Sequence, residues 1–228
     1  MKTFNQYLEE SQVVNTDRFY QGEPLETGGT SITAGPAPLI KDLFQKKQIK
    51  PGDTIFDYGA GKSGRNAKWL REQGCNVFAF DPYHGTTADG WEGVAAQKPK
   101  NIKFDVVFTA YVLNVVPEHV ETGLLQDVNR YVGNGKQFHI TRNRDIFDTV
   151  KGALKRHDPI IGKFFLTQFA ENENDVNAYE TKTLSDNRIR EFCVFGVQTS
   201  RGFQRVPLLE RKGYKLLRNS SGFKLYTR

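Results

Sequence analysis

Several scarcities limit what this chain can be. Cysteine occurs twice in 228 residues, and Cys75 and Cys193 are far apart and lack metal-ligand companions, so we expect buried, reduced thiols and no metal site. No apolar run approaches the ~20 residues that span a bilayer. The opening MKTFNQYLEE also lacks the apolar centre of a signal peptide. We therefore expect a soluble, cytoplasmic protein with no membrane partner.

The composition is that of one globular domain with short additions at its ends. Hydrophobic residues make up 38% of the chain, which is enough to build a core. The formal net charge of +6 favours an acidic partner such as nucleic acid, and basic residues concentrate at 142 to 156 and 201 to 228. The alternative is an ordinary solvated basic face.

The most informative segment is DTIFDYGAGKSG at 53 to 64, followed by FAFDP, which ends at residue 82. It predicts a buried strand, a tight glycine turn and a helix at 65 to 73. Glycines at 59, 61 and 64 allow the turn, close approach of a ligand and close helix packing. The pattern also fits G-x-G-x-x-G, which by itself is a weak sign of a dinucleotide site.

An acid placed just before this turn separates two kinds of nucleotide. Asp57 lies two residues ahead of the first glycine, where a cationic amino group would be attracted and a pyrophosphate repelled. S-adenosyl-L-methionine carries such an ammonium group and NAD does not. The sequence therefore favours S-adenosylmethionine as the cofactor.

Three blocks resemble the class I S-adenosylmethionine-dependent methyltransferases, over residues 28 to 228. They are D-x-G-x-G-x-x-G at 57 to 64, the acid Asp81 after the second strand, and FDVVFTAYVLNVVPEHVETGLLQDVNRYVGNGKQFHIT. Within that class, YVLNVVP and the spacing from DYGAGKSG to DPY are most similar to methyltransferases associated with DNA phosphorothioation and to their phage relatives. The resemblance implies an α/β fold, a Rossmann-like doubly wound sheet that is mostly parallel and ends in a C-terminal antiparallel hairpin.

The resemblance also implies which residues hold the cofactor. Asp81 would receive the ribose hydroxyls, Pro82 and Tyr83 would flank the adenine, and the backbone N–H groups of the turn and first helix would hold the methionine carboxylate. The predicted cofactor-binding residues are Asp57, Gly59, Ala60, Gly61, Gly64, Asp81, Pro82, Tyr83, Thr109 and Ala110. Residues 84 to 104 are too few and too rich in glycine for a full second helix and third strand, so we expect an abbreviated sheet there.

The acceptor side follows the fourth strand, because ligands bind beyond the carboxyl ends of parallel strands. Tyr111 and Asn114 are the predicted catalytic residues; alternatively, Tyr111 packs and Asn114 caps the next helix, near 117 to 131. His139 is expected to contact a neighbouring strand rather than to act as a base. The chain lacks the N/D-P-P-Y/F/W motif of amino methyltransferases and the Pro-Cys nucleophile of cytosine C5 enzymes.

The ends and the insertion complete the predicted organisation. MKTFNQYLEE, residues 1 to 10, resembles the capsid-targeting leaders of internal head proteins in tailed phages, with Leu8-Glu9-Glu10 as the cut site, which implies packaging in the virion interior and delivery into the host cytoplasm. A linker and loop cover 11 to 37, and the methyltransferase domain covers 38 to 228. Its helical insertion, 143 to 192, is predicted to cover the substrate, and a further helix is predicted near 203 to 212.

The predicted function is thus that of a phage-encoded methyltransferase that uses S-adenosylmethionine. Its methyl acceptor is unidentified and is either a nucleic acid or a small molecule. Two alternatives remain: a non-catalytic protein of the same fold that binds the cofactor, and an NAD-dependent oxidoreductase.

Overall fold

The structure of the protein, a computed structural model, describes residues 19–20, 23–24, 35–199, 202–220 and 222–228. The predicted leader and most of the predicted linker lie outside these residues. Contacts group the described residues into two compact units. We call them the sheet unit (35–112, 123–141 and 209–228) and the helical unit (113–122 and 142–208, with the short strands at 19–24).

Strands and helices alternate through the first part of the chain. The strands are β1 (Phe19–Tyr20), β2 (Glu23–Pro24), β3 (Thr54–Tyr58), β4 (Asn76–Phe80), β5 (Val106–Ala110), β6 (Lys136–Arg142), β7 (Val197–Thr199), β8 (Gly202–Gln204), β9 (Lys215–Asn219) and β10 (Phe223–Thr227). The helices are α1 (Pro38–Gln45), α2 (Arg65–Glu72), α3 (Glu118–Val132), α4 (Arg144–Lys155), α5 (Pro159–Phe164), α6 (Glu173–Glu180) and α7 (Asp186–Phe195). Short 3-10 turns lie at Val112–Asn114 and Leu209–Lys212, and a π-helical turn lies at Phe165–Phe169.

Six strands form the main sheet, in the order β4-β3-β5-β6-β10-β9. The first four are parallel to one another, and β10 pairs antiparallel with β9. The Thr227 hydroxyl, at the end of β10, donates to the Gln137 carbonyl near the start of β6 at 2.8 Å, so β10 runs against β6. The predicted α/β fold with a C-terminal antiparallel hairpin is confirmed.

The inner strands read as continuous apolar runs because both faces of the sheet are buried. On one face, Ile55 and Phe108 pack with the buried side of α1, whose Leu39, Ile40 and Leu43 match the predicted core positions. On the other face, aromatic rings surround Phe56, with centroid separations of 4.9 Å to 6.2 Å. The glycine turn after β3 is therefore mounted on a rigid strand.

The sheet is abbreviated beyond β4, in agreement with the sequence. Residues 81 to 105 contain no strand, and the segment 90–95 instead supplies hydrogen bonds to the outer edge of β4. The Gly90 carbonyl accepts from Ala79 N at 2.8 Å, and Ala95 N donates to the Ala79 carbonyl at 2.9 Å. This segment occupies the place of a third strand.

The helical unit has its own core, to which α4, α5, α7 and the π-helical turn contribute phenylalanines. Its members include Phe147, Phe165, Phe169 and Phe192, which are all buried. The predicted helical character of 143 to 192 agrees with α4 to α7. The helix predicted near 203 to 212 is reduced to the 3-10 turn Leu209–Lys212, and β8 with irregular chain precedes it. Pro207 cannot donate within a helix and disfavours a helical conformation at Val206.

No helix in the described part of the chain combines the length and the apolar character needed to cross a membrane.

Candidate functional site

The glycine turn joins β3 to α2 and adopts the conformation that its residues predict. Gly59, Gly61 and Gly64 have φ angles of 83°, 68° and 52°, values that residues with a side chain rarely adopt. A Cβ on Gly59 would lie 2.3 Å from Val112 Cγ2, and one on Gly64 would lie 2.7 Å from Val94 Cγ2. At these two positions the protein's own side chains, rather than the approach of a ligand, require glycine.

Several N–H groups of the turn are already used within the protein. Gly59 and Ala60 donate to the Phe80 carbonyl at 2.8 Å and 2.9 Å, and Gly61 donates to Asp81 Oδ2 at 2.9 Å. The predicted hold on a methionine carboxylate therefore does not come from these three groups. The first bond of α2 runs from Lys68 N to the Gly64 carbonyl, and Ala67 N–H is directed at Asp57, which leaves the N–H groups of Arg65 and Asn66 for such a contact.

Asp57 is a buried carboxylate with neither oxygen hydrogen-bonded to a described residue. The side chain is fully buried on the face of β3 that is covered by α2. Burial raises the pKa of Asp57 to about 7, and the negative charge of Asp81 adds to the rise. The Ala67 backbone N–H and the Arg71 guanidinium, both in α2, oppose it, although neither completes a hydrogen bond of ordinary geometry. Such a group destabilises the protein unless a cation compensates for it.

Asp81 ends β4 and is held firmly by backbone groups. Its Oδ1 accepts from Tyr83 N at 3.0 Å and His84 N at 2.9 Å, and its Oδ2 accepts from Gly61 N. A carboxylate oxygen has two lone pairs, so among the described contacts Oδ2 keeps one acceptor site. The carboxylate thus ties the end of β4 to the glycine turn after β3.

Pro82 and Tyr83 follow Asp81 and lie at the surface. Tyr83 is 41% exposed, one of few large apolar side chains in that state among the described residues. An exposed ring next to Asp81, the acid predicted to receive the ribose, is suited to stacking against a flat base.

Thr109 and Ala110 do not share one environment. The Thr109 hydroxyl is buried and hydrogen-bonds His139 Nδ1 at 2.9 Å, while His139 Nε2 faces Gln137 Oε1 at 3.3 Å. Burial lowers the pKa of His139 to about 3, so the ring is neutral and structural, as the sequence indicated. Ala110 is partly buried and packs against the sheet core.

Tyr111 follows β5 directly and has an unusual backbone. Its φ is 67°, which is uncommon for a residue with a side chain and concentrates at functional sites. Tyr111 N donates to the Ile140 carbonyl at 2.8 Å, and the ring packs against Phe223 with centroids 5.7 Å apart. The packing predicted as the alternative is therefore present, on a strained backbone at the carboxyl edge of the sheet.

Asn114 belongs to the helical unit and is buried, at 1% exposure. Its amide donates to the carbonyls of Arg142 at 3.0 Å and Arg205 at 2.8 Å, and its Oδ1 accepts from Arg142 N at 2.8 Å. It thus braces chain segments and does not form the helix cap considered as an alternative. These bonds use both donors of the amide, and the catalytic role of Asn114 stays a prediction.

Sequence reasoning missed Arg71, whose half-buried guanidinium donates to four backbone carbonyls. Its only sequence signal is a basic residue on α2 six positions before Val77, which does not distinguish it from its exposed neighbours. Among the described residues, no group of three or more His, Cys, Asp or Glu side chains is placed to hold a metal ion.

Comparison with known proteins supports the fold. No protein-family model matches the chain, and no curated protein matches it. A solved structure described as a Zn-dependent alcohol dehydrogenase from Rhodobacter sphaeroides has 17% identity and a TM-score of 0.51, covering 84% of this chain and 89% of that one. At this identity the similarity shows a shared α/β fold and not a shared reaction.

Two further solved structures are more distant. Magnesium protoporphyrin IX methyltransferase from Synechocystis, with bound SAH, has 13% identity and a TM-score of 0.46, covering 83% of this chain and 78% of that one. A TehB-like SAM-dependent methyltransferase from Corynebacterium glutamicum has 14% identity and a TM-score of 0.38, covering 80% and 83%.

Proposed function

We propose that this protein is an S-adenosylmethionine-dependent methyltransferase. The observation that carries the proposal is Asp57, a fully buried carboxylate without a hydrogen-bonding partner among the described residues, placed beneath the glycine turn. A buried anion of this kind is retained at a cost to stability, and a cationic ligand over the turn would compensate for it. The reversed hairpin β9–β10 supports the same conclusion, because the dinucleotide-binding Rossmann sheet lacks it.

The residues present fit this cofactor. When bound, it would supply a methyl group already activated on a sulfonium. Asp57 gives the turn a negative potential that favours the ligand's amino end. Asp81 Oδ2 offers an acceptor to a ribose hydroxyl, and Tyr83 presents a ring to the adenine. Methyl transfer from a sulfonium mainly requires alignment and the exclusion of water, so no general base has to be assigned.

Calorimetric titration of the purified protein with S-adenosylhomocysteine and with NADH tests the cofactor. We expect S-adenosylhomocysteine to bind, and Asp81→Ala to weaken it by at least about 2 kcal/mol through loss of a charged hydrogen bond. Glu92→Ala removes an exposed acid from the neighbouring segment and is the matched control. Binding of NADH alone would overturn the proposal in favour of the oxidoreductase alternative.

Incubation with cofactor carrying a tritiated methyl group distinguishes an enzyme from a non-catalytic binder. Host nucleic acid, protein and metabolite fractions are each offered as the acceptor, and we expect one fraction to become labelled above an Asp81→Ala control. Tight cofactor binding with no labelled fraction would favour the binder.

For the acceptor we propose nucleic acid over a small molecule, because basic side chains without ion pairs lie beside the glycine turn. Lys62, Arg65 and Lys68 are exposed and form no ion pair with any residue that the structure describes. In contrast, the stretches singled out from the sequence, which hold thirteen basic residues, are partly neutralised. Six of their basic residues have acidic partners: Arg142, Arg144, Lys151, Arg205, Arg218 and Lys224.

Phage origin and packaging through residues 1 to 10 are a further proposal, which rests on the sequence alone. Mass spectrometry of purified virions tests it. We expect a peptide that begins at Ser11; an intact Met1 terminus in virions, or absence of the protein from heads, would contradict it.

A further inference from the structure

The outer edge of β4 presents backbone groups that a third strand would normally pair. Ala79 bonds to the segment 90–95 instead. The Val77 carbonyl is taken by a side chain: Arg71 donates to it through Nε at 3.1 Å and Nη2 at 2.9 Å. An arginine from α2 therefore completes the edge at this position.

The same guanidinium reaches the segment that replaces the strand. Arg71 Nη2 donates to the carbonyls of Gly90 at 2.7 Å and Gly93 at 3.1 Å, and Nη1 donates to that of Glu92 at 3.2 Å. The segment is closely packed, since a Cβ on Gly90 would lie 2.5 Å from the Phe78 ring. One planar group thus fixes α2, β4 and residues 90–93 relative to one another.

The fixed segment supports the candidate site directly. The Ala95 carbonyl accepts from Asp81 N at 2.9 Å, and the Val94 side chain lies against Gly64. Asp81 in turn accepts from the turn at Gly61. The positive charge of Arg71 also opposes the rise that burial causes in the pKa of Asp57.

We propose that Arg71 is a positioning residue of the cofactor site. By holding residues 90–95 against β4, it sets the place of Asp81 and of the glycine turn, and its charge favours the ionised form of Asp57. This inference rests on the proposed cofactor. Lysine is not an equivalent, because a single ammonium on a flexible stem does not reproduce a planar fork shared among four carbonyls.

Two substitutions of Arg71 distinguish the effect of its planar hydrogen-bonding group from the effect of its charge. Arg71→Lys keeps the charge and loses the planar set of hydrogen bonds that holds residues 90–93, so we expect the Kd for S-adenosylhomocysteine to rise about tenfold. Amide hydrogen exchange at Ala95 and Asp81 should become faster. Arg71→Met also loses the charge and should move the pH dependence of binding to higher pH, which loss of stability alone would not do.

Glu72→Ala, which changes an exposed residue at the end of the same helix, is the matched control and should change none of these quantities. Gly93→Ala keeps Arg71 but disturbs the segment that it holds, since the new Cβ would lie 2.4 Å from Thr87 Cγ2. This variant tests the inference if the Arg71 variants fail to fold. Wild-type affinity in Arg71→Lys or, if that variant does not fold, in Gly93→Ala would overturn the inference. Wild-type protein that does not bind S-adenosylhomocysteine would instead overturn the proposed function. The exchange rates would still test whether Arg71 holds residues 90–95 against β4.

Discussion

Asp57 links the stability of the protein to its proposed ligand. Three charged or polar groups surround it: the Ala67 N–H and Arg71 from α2, and Asp81 after β4. Because burial outweighs the two favourable groups, the carboxyl holds its proton to a pH of about 7 in the folded protein. An unfolded aspartate loses its proton near pH 3.9.

The sign of this difference predicts how stability varies with pH. A raised pKa in the folded state stabilises the protein below pH ~4, and that contribution is lost as pH rises to about 7, at most ~4 kcal/mol. Asp57→Asn should remove this slope and be more stable than wild type at pH 8. Urea unfolding at pH 5, 6, 7 and 8 measures it, with Asp53→Asn, which changes an acid directly before β3, as the control. Parallel curves for wild type and Asp57→Asn would contradict the burial of an unpartnered carboxylate.

The helical unit contains a buried ion pair, in which, unlike Asp57, each charge has a hydrogen-bonded partner of opposite sign. Arg205 and Glu121 are 1% and 0% exposed, with Nη1 and Oε2 2.9 Å apart. Removing one partner leaves the other charge buried, so Glu121→Gln should lower the free energy of unfolding by about 3 to 5 kcal/mol. Lys224→Gln breaks the partly exposed pair with Glu210 and should cost less than about 1 kcal/mol. Equal effects in chemical denaturation would contradict this ranking.

At the scale of elements, the turn between β3 and α2 accepts glycine and few other residues at its key positions. Its conformation depends on positive φ angles, and its packing depends on the absence of a Cβ against Val112. A helical glycine offers the contrast: Gly123 lies in α3 with open space where its Cβ would be.

Alanine at these two positions should therefore have opposite effects. Gly59→Ala must adopt a left-handed conformation and displace Val112, which should cost more than about 2 kcal/mol. Gly123→Ala should stabilise the protein by about 0.5 to 1 kcal/mol, because alanine favours the helix. Thermal melts of the two variants against wild type test this, and a stable Gly59→Ala protein would mean that the turn differs from the one described.

At the scale of the whole molecule, the positive charge is less uniform than the net value of +6 indicates. Ion pairs neutralise six of the thirteen basic residues at 142 to 156 and 201 to 228, whereas Lys62, Arg65 and Lys68 have no such partner among the described residues. Affinity for a nucleic acid depends on the basic side chains that are available to neutralise its phosphates, because each neutralised phosphate releases a counterion.

Charge reversal at the two kinds of site should therefore differ. Lys62→Glu with Arg65→Glu should weaken DNA binding and flatten its salt dependence, whereas Arg144→Glu with Lys151→Glu should have a smaller effect. Fluorescence anisotropy with a labelled DNA at 50 mM and 200 mM salt measures both. A larger loss in the second double variant would assign the contact to α4 instead.

The local pattern of the chain was sufficient for much of the fold. Apolar runs predicted the strands, the glycines at 59, 61 and 64 predicted the turn after β3, and the short glycine-rich stretch after Asp81 predicted the abbreviated sheet. These features depend on neighbouring residues, whose steric and solvation preferences act over a few positions. The helix predicted near 203 to 212 failed because Pro207 outweighs the pattern around it.

What the sequence by itself determined is the α/β sheet, its reversed hairpin and an acid ahead of a glycine turn. Only the tertiary structure decided that Asp57 lies buried under α2, that Asn114 braces Arg205 across 91 residues, and that Arg71 completes the edge of β4. The reason is physical: strand and turn preferences are local, whereas the partner of a buried polar group is set by packing between segments that are distant in the chain.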